Sequence, residues 1–406
     1  MIQRVLPYFG QIRTSVLFLR SFGPGREQIR VLAHYLAGEL FEEQDDVSHL
    51  RATMAWLADA QDACDGDGVS NAYHLNGGWG VAYPETSGYI LATYLTFADF
   101  SGEHTFMDRA LRIGDWEIRV QAPNGGVFSS TALRQTRVFN TGQVILGWCA
   151  LYERTKLEKY LEAAERAGDY LLGIQEADGA WRRDTYCGAR TYHARVDWAL
   201  LRLARLSGEA RYGEAAARNL RWVLGNQLSN GWFAQCGFGN DPPITHVIAY
   251  TLRGLLECAS TDKTLDNSLG IFSATMKCTD ALCRALQAQP VAGIHGMVPA
   301  SFDQAWKSPA RDSCLTGNSQ LASFLFRICD CTRDSTYGEL GAEILSATKR
   351  TQIVDTSLRP LRGAIAGSFP FCHGYSPNVF PNWAAKFFAD ALLMKINSPK
   401  GIAIPA

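Results

Sequence analysis

The stretch Gln175-Glu-Ala-Asp-Gly-Ala-Trp181 carries the motif that decides the fold of this 406-residue chain. A glutamine, three variable residues and a glycine recur at 121–125, 175–179, 227–231 and 289–293. An aromatic residue follows closely in three of the four copies. A spacing of about 53 residues is typical of stacked supersecondary units, none of which can bury its apolar face alone.

Two helical patterns lie between successive copies of this motif. The first helices are predicted at 43–64, 103–121, 156–175, 209–227, 262–289 and 334–352, and the second helices at 84–100, 138–154, 192–207, 245–260, 312–329 and 381–396. The first helices are amphipathic, whereas the second helices carry few charges and are therefore predicted to be buried. We expect an all-α fold: an (α/α)6 toroid over residues 43–406, with the second helices as its inner ring and residues 1–42 as a short N-terminal helical extension.

Composition excludes several classes of function. The chain has 39 basic and 40 acidic residues, and no dense Lys/Arg run, which argues against a nucleic-acid partner. No run of 18 apolar residues predicts a transmembrane segment, and arginines interrupt the N-terminal apolar stretch, so we expect no signal peptide and a cytoplasmic protein. The eleven cysteines lack metal-ligand spacing, so we expect free thiols, no metal and no other cofactor.

The loops from first to second helices are long, at roughly 15 to 28 residues, and long ordered loops are usually functional. They are rich in aromatic residues and should emerge at one end of the ring. Aromatic faces stack well on the apolar C–H faces of sugar rings. The aromatic residues that we expect to bind substrate are Trp79, Trp181, Tyr192, Trp232, Tyr375 and Trp383.

Alignment of the inner-helix starts adds a set of polar residues at this end. Those that we expect to bind substrate are Asn140, Gln143, Asn318, Gln320, Asn382 and Lys386. Those that we expect to be catalytic are Tyr83, Glu85, Tyr89, His193, Arg195, Asp197 and His246. Buried polar groups without partners are costly, so the set favours a polar lumen over simple packing. Two structural alternatives stay open: Glu85 could complement the helix dipole, and Asp197 could pair with Arg195 or Arg253.

Six segments carry a resemblance to a known family: Tyr83-Pro-Glu-Thr-Ser-Gly-Tyr89, Asn140-Thr-Gly-Gln143, His193-Ala-Arg-Val-Asp197, Thr245-His246, Leu315-Thr-Gly-Asn-Ser-Gln320 and Pro381-Asn-Trp-Ala-Ala-Lys-Phe387. Together they resemble the VpsJ-like proteins of bacterial exopolysaccharide biosynthesis, which are six-hairpin toroids. More distantly, the layout is similar to glucuronyl C5-epimerases and to toroidal uronic-acid lyases and hydrolases. The resemblance implies a carbohydrate partner and a role in polysaccharide biosynthesis.

The leading hypothesis is a carbohydrate-active enzyme of exopolysaccharide biosynthesis or modification. Its substrate would be an anionic, uronic-acid-containing glycan, possibly lipid-linked, and the reaction a proton transfer at C5 of the epimerase or lyase type. Arg195, His246 or Lys386 would neutralise the substrate carboxylate. A base would act on one face of the ring and, for epimerisation, an acid on the other.

Three alternatives stay open. A glycoside hydrolase would use Glu85 and Asp197 as its two carboxylates. A non-catalytic glycan-binding assembly subunit would need the aromatic residues alone, whereas a cluster of perturbed acid–base groups would favour an enzyme. A terpenoid cyclase is disfavoured, because it needs a nearly all-aromatic cavity and this end of the ring carries Arg, His, Lys and Gln.

Overall fold

The computed structural model describes residues 31, 33–35, 37–75, 77–239, 241–289, 291, 294–372 and 374–397. Most of the predicted N-terminal extension, residues 1–30, lies outside these ranges. The part of it that is described includes helical residues between 31 and 37. The domain boundary at residues 42 and 43 stays a prediction.

Thirteen helices make up most of the described chain. In chain order they are α1 Asp46–Asp62, α2 Pro84–Ser101, α3 His104–Val120, α4 Val138–Thr155, α5 Glu158–Ile174, α6 Ala194–Ser207, α7 Ala210–Gly225, α8 Thr245–Thr261, α9 Lys263–Leu269, α10 Ile271–Ala288, α11 Leu315–Thr332, α12 Ser335–Lys349 and α13 Asn382–Asn397. A 3-10 turn, Thr191–His193, leads into α6. The helices match the predicted pattern with ends shifted by a few residues. The exception is the predicted helix 262–289, which is divided into α9 and α10 at Gly270, where φ is +69°.

The second helices of the six hairpins form a closed inner ring. In ring order α2, α4, α6, α8, α11 and α13 each pack against the next, and α13 packs against α2. The outer helices α1, α3, α5, α7, α10 and α12 cover this ring. The inner helices are buried over most of their length, as their low charge predicts: in α8 every residue from Thr245 to Ala259 is buried. The predicted (α/α)6 toroid is confirmed.

The recurring glutamine joins neighbouring outer helices. Gln175 Nε2 donates to the carbonyl of Gly179 at 2.9 Å, within its own turn, and to the carbonyl of Ala215 in α7, also at 2.9 Å. Gly179 has a φ of +89°, and a Cβ there would lie 2.4 Å from the Arg218 carbonyl oxygen. Only glycine suits both conditions. We call this arrangement the glutamine bridge; Gln121 and Gln227 form the same bridge to the next outer helix.

A glutamine bridge also closes the outer ring. Gln352 Nε2 donates to the carbonyl of Gly363 and to Oγ1 of Thr53 in α1, both at 2.7 Å. Gly363 has a φ of +84° and approaches the carbonyl of Ala52 too closely for any Cβ. The sixth hairpin is therefore joined to the first by the device that joins hairpins two to five.

Within the described ranges, five short strands tie the long loops together. β1 Ala72–His74 pairs antiparallel with both β2 Gly78–Trp79 and β5 Val379–Pro381, and β3 Ser313–Cys314 pairs with β4 Ser368–Phe369. These pairings connect loops of the first, fifth and sixth hairpins next to the starts of α2, α11 and α13. None of the helices in the described ranges is both long and apolar enough to cross a membrane.

Candidate active site

A cavity of about 380 Å³ lies among the starts of the inner helices. Side chains from α2, α4, α8, α13 and the long loops line it: Tyr83, Glu85, Tyr89, Phe139, Tyr186, Tyr192, Phe238, His246, Tyr250, Tyr375 and Trp383. All but Glu85 and His246 carry a phenyl, phenol or indole ring. Among the described residues, no arginine or lysine belongs to this lining. The part of the site that the structure describes is an aromatic cup with one carboxyl group and one imidazole.

Glu85 supplies the only carboxyl group among the described lining residues. It lies in the first turn of α2, directly after Pro84, which suits the first helical position. Burial raises the pKa of Glu85 to about 7, while the Tyr83 hydroxyl, 3.0 Å from Oε2, and the positive charge of Arg195 act in the opposite direction. A carboxyl group with a pKa near neutrality can act as an acid or as a base under physiological conditions.

Glu85 is the first member of a hydrogen-bonded chain. The Tyr83 hydroxyl lies 2.9 Å from the Tyr186 hydroxyl, which lies 3.1 Å from Oδ1 of Asn140. Asn140 Nδ2 donates to the carbonyl of Phe128 at 3.3 Å, so Oδ1 is turned toward Tyr186. The chain links side chains from three successive hairpins.

His246 faces the cavity from the side opposite to Glu85. It lies in the first turn of α8, and α8 stands three places from α2 in the six-membered inner ring. Burial lowers the pKa of His246 to about 3, so the imidazole is neutral. Its ring packs against Tyr250 and Tyr375, with centroid distances of 5.4 and 4.6 Å, and its Nδ1 lies 3.9 Å from Sγ of Cys314.

Arg195 and Gln143 lie behind the aromatic lining. Arg195 Nε donates to Oε1 of Gln143 at 2.6 Å, and the guanidinium stacks on the rings of Trp198 and Tyr250, 5.4 Å from each centroid. The side chain is 2% exposed, and burial lowers its pKa. Arg195 is not among the lining residues, whereas Tyr250, on whose ring it stacks, is; Arg195 therefore affects the cavity through its charge.

Lys386 and Asp390 form a buried ion pair on α13. Nζ of Lys386 lies 2.6 Å from Oδ2 of Asp390, and the ammonium also lies over the rings of Tyr89 and Phe387, at 4.9 and 4.4 Å. Burial lowers the pKa of Lys386 to about 8. Although the sequence places Lys386 at the lumen, its side chain does not line the cavity.

Three predicted amides of the later hairpins are buried in the structural core of the ring. Asn382 donates to the carbonyl of Ser70 and to Thr86 Oγ1, at 2.9 and 2.8 Å. Asn318 accepts from the Ser313 hydroxyl at 3.0 Å. Gln320 is buried on α11. The two asparagines fix the helix starts, and none of the three amides lines the cavity.

His193 and Asp197 are buried away from the cavity lining. The His193 ring packs edge-on against Trp181 and Tyr192, and burial lowers its pKa to about 3. Burial raises the pKa of Asp197 well above its usual value. Neither carboxylate oxygen of Asp197 has a hydrogen-bond partner in the described chain, and the structure shows no ion pair with Arg195 or Arg253. Glu85 and Asp197 are thus not brought together in the cavity.

Three of the predicted substrate-binding tryptophans pack elsewhere. Trp181 is fully buried and donates to the carbonyl of Leu171 at 2.9 Å. Trp232 packs against Trp306, and Trp79 against Trp56, with centroid distances of 4.9 and 5.1 Å. Of the predicted substrate-binding residues, the cavity lining includes Tyr192, Tyr375 and Trp383.

Sequence reasoning missed four lining residues: Phe139, Tyr186, Phe238 and Tyr250. Tyr250 follows His246 by four residues on one helix, and that spacing could have placed both on one face. Tyr186 and Phe238 lie in long loops, where no periodicity shows which way a side chain points. Within the described ranges, no group of three His, Cys, Asp or Glu side chains could hold a metal ion.

Comparison with known proteins shows that this chain is similar in fold to several solved structures. No protein-family model and no curated protein sequence matches the chain. Among solved structures, an unsaturated glucuronyl hydrolase from Bacillus sp. GL1 is similar with a TM-score of 0.67 and 12% identity over 88% of this chain and 98% of its own. A D-mannose isomerase has a TM-score of 0.67 and 11% identity, covering 87% of this chain and 97% of its own.

A sugar epimerase from a ruminal bacterium is also similar, with a TM-score of 0.65 and 12% identity over 87% of this chain and 100% of its own. At these identities the likeness establishes a shared architecture and carries no reaction with it. The resemblance to the VpsJ-like family stays a prediction. The chain shares the (α/α)6 toroid fold of these three proteins.

Proposed function

We propose that this protein is a carbohydrate-active enzyme that moves a proton at a sugar-ring carbon, in a reaction of the epimerase or lyase type. One observation carries the proposal. Glu85 and His246, both with strongly shifted pKa values, enter a single aromatic cavity from opposite inner helices. Perturbed titratable groups that converge in a cleft are a common property of catalytic sites.

The cavity suits a sugar ring. Its aromatic faces can stack on the C–H faces of a pyranose, while the tyrosine hydroxyls can bond to the sugar hydroxyls at the edge of the ring. Its volume of about 380 Å³ is near the lower end of the range for small-molecule sites and holds roughly one or two sugar units. A longer glycan would extend past the exposed rings of Tyr186 and Phe238, which are 42% and 45% exposed.

The pKa values assign different roles to the two groups. The C–H bond next to a carbonyl or carboxylate breaks, its proton passes to the Glu85 carboxylate, and the electron pair moves onto the adjacent oxygen. Neutral His246 donates an N–H hydrogen bond to that oxygen, since an imidazole with a pKa of about 3 is a poor base but a good neutral donor. In elimination, the electron pair expels the oxygen on the next carbon, and that oxygen leaves as a hydroxyl group with the proton that Glu85 has accepted. In epimerisation, Tyr250 would return a proton to the opposite face.

A uronic-acid substrate and a place in exopolysaccharide biosynthesis belong to the same proposal. The support is the resemblance of the sequence segments to VpsJ-like proteins, together with the toroid fold. The positive potential for a carboxylate would come from Arg195 behind the lining and from the inner-helix N-termini. Lys386 would contribute little, because Asp390 neutralises it.

The alternatives have weaker support from the cavity. A hydrolase with two catalytic carboxylates is disfavoured because Asp197 does not line the cavity. The cavity is as aromatic as a terpenoid cyclase would require, but a carboxyl group with a pKa of about 7 is too weak an acid to protonate a carbon–carbon double bond. A non-catalytic glycan-binding subunit is the second candidate, and the aromatic lining favours it.

Solvent-exchange measurements test the proposal. The protein is incubated in deuterated water with uronate-containing and neutral oligosaccharides. Epimerisation places deuterium at the reacting carbon, which NMR detects, and lyase action creates a double bond that absorbs in the ultraviolet. E85Q should lose either signal at least about a hundredfold while calorimetry shows that it still binds glycan.

E158Q is the matched control, since Glu158 is also a first-turn glutamate but lies on outer helix α5. It should behave as the wild type. Glycan binding by the wild type without exchange or elimination would refute the enzyme and support the binding subunit.

A further inference from the structure

We propose that Tyr186 is a positioning residue that couples the protonation of Glu85 to the direction of the hydrogen-bonded chain Glu85–Tyr83–Tyr186–Asn140. The catalytic meaning of this coupling rests on the proposed function. The coupling itself exists in the protein without substrate and can be measured there.

The number of hydrogens in the hydrogen-bonded chain limits how many of its contacts can be hydrogen bonds. The chain has three oxygen–oxygen contacts, of 3.0, 2.9 and 3.1 Å. Each tyrosine hydroxyl carries one hydrogen, and Oδ1 of Asn140 can only accept. When Glu85 is protonated, three hydrogens serve three contacts: Glu85 donates to Tyr83, Tyr83 to Tyr186, and Tyr186 to Asn140. Every contact is then a hydrogen bond in one direction.

Ionisation of Glu85 removes one of the three hydrogens. Tyr83 then turns to donate to the carboxylate, because a hydrogen bond to a charged acceptor is the stronger one. Tyr186 has a single hydrogen and can give it to Tyr83 or to Asn140, but not to both. If Tyr186 donates to Asn140, the Tyr83 and Tyr186 oxygens face each other without a hydrogen between them. If Tyr186 donates to Tyr83, the buried Oδ1 of Asn140 loses its donor. Tyr186 and Asn140 therefore weaken the stabilisation that the Tyr83 hydroxyl gives to ionised Glu85.

Tyr186 is held in place but remains reachable. The Arg137 guanidinium lies over its ring at 4.9 Å and donates to the carbonyl of Thr185 at 2.6 Å, which fixes the loop. The Tyr186 side chain is nevertheless 42% exposed at the cavity mouth. A ligand hydroxyl that donates to Tyr186 or Tyr83 would supply the missing hydrogen. Binding of a sugar would thus favour the ionised, basic form of Glu85, whereas a purely apolar ligand would not.

Five further groups face Glu85 and are not members of the hydrogen-bonded chain. They are Tyr89 on the same helix, Tyr250 and neutral His246 on α8, Tyr375 in the last loop, and Arg195 on α6. Arg195 is the only cation among them and favours ionised Glu85. Arg195 and the Tyr83 hydroxyl therefore both favour ionised Glu85, whereas Tyr186 opposes them by competing for the Tyr83 hydrogen.

Two substitutions should shift the Glu85 titration in opposite directions. Y186F removes the oxygen that competes for the Tyr83 hydrogen and should lower the pKa of Glu85. Y83F removes the donor to the carboxylate and should raise it. Shifts of about half a pH unit or more are expected for a change of one hydrogen bond. The readout is the carbonyl stretch of the protonated carboxyl group in infrared spectra recorded against pH, identified by its absence in E85Q.

Y73F is the matched control. Tyr73 packs against Trp79 and is half-buried, and its hydroxyl does not belong to the hydrogen-bonded chain Glu85–Tyr83–Tyr186–Asn140. It should leave the titration unchanged. The coupling would be overturned if Y186F and Y83F shifted the Glu85 pKa in the same direction, or if Y186F did not shift it. If Y83F does not fold, the comparison of Y186F with Y73F decides. Opposite shifts without any deuterium exchange would leave the coupling intact and refute proton-transfer catalysis.

Discussion

Replacing Lys386 with methionine tests whether this lysine holds the ring together or binds substrate. Its ammonium lies 2.6 Å from the Asp390 carboxylate, and the two side chains are 0% and 4% exposed. Removing one partner of a buried ion pair typically costs about 3–5 kcal/mol, because the other charge stays buried. Arg195 and Arg253 also act on Asp390, so we expect K386M to lower the free energy of unfolding by about 3 kcal/mol, the lower end of that range.

A second substitution should reverse most of this loss. D390N removes the uncompensated charge but keeps an oxygen that can accept from the Thr93 hydroxyl, which lies 2.7 Å from the carboxylate. K386M/D390N should therefore be within about 1 kcal/mol of the wild type. Unfolding in urea, followed by tryptophan fluorescence at pH 7, gives the free energies.

The control is K395M on the same helix. Lys395 pairs with Asp46 at 2.8 Å but is 37% exposed, so its loss should cost less than about 1 kcal/mol. The structural role would be refuted if K386M cost no more than K395M, or if the double variant were as unstable as the two single changes added together. A loss of glycan affinity in K386M at unchanged stability would instead restore the predicted binding role.

Two further predictions concern stability. Because burial raises the folded-state pKa of Glu85 from 4.5 to about 7, the folded protein holds this proton more tightly, and the stability that it contributes is lost as the pH rises through that window. E85Q cannot ionise, so its unfolding midpoint should exceed that of the wild type increasingly between pH 5 and pH 8; parallel pH profiles would contradict this. G179A should lower stability by about 1–3 kcal/mol, because its backbone has a φ of +89° and the new Cβ would meet the Arg218 carbonyl. G173A lies in helix α5, where no other part of the protein packs within 4 Å of the new Cβ. It should raise the free energy of unfolding by about 0.5–1 kcal/mol, and thermal unfolding measures both glycine variants.

The fold could be predicted because its signals are local and repeated. Apolar periodicity and the spaced glutamines place eleven of the twelve ring helices within a few residues of their observed ends; the exception is α10, which begins at Ile271 rather than at 262. The strands could not be predicted, since segments of two or three residues depend on partners far away in the chain. The glutamine bridge of the sixth hairpin could not be predicted, because Gln352 and Gly363 are 11 residues apart, whereas the glutamine and glycine of the other three bridges are four apart.

The site could be predicted only in part from the sequence. Glu85 and His246 lie in first turns, and the ring geometry brings first turns to the cavity. Lys386 shares its helix with Asp390 four residues on, a spacing that indicates an ion pair and could have shown that it is already neutralised. The bond from Arg195 to Gln143 crosses between helices 52 residues apart, so no local pattern reveals it. Residue type shows that a polar group is present but does not show what it contacts.

Closure of the toroid by a glutamine bridge has a consequence for the order of folding. The bond between Gln352 and Thr53 joins residues 299 positions apart, and β1 likewise pairs with β5 near the other end of the chain. Contacts of such long range form slowly, since most of the intervening chain must first be arranged. On the ribosome, α1 and α2 emerge long before α13, against which both pack, and the surfaces that α13 covers stay exposed in the meantime. The hairpin that is synthesised first is therefore the last to be completed.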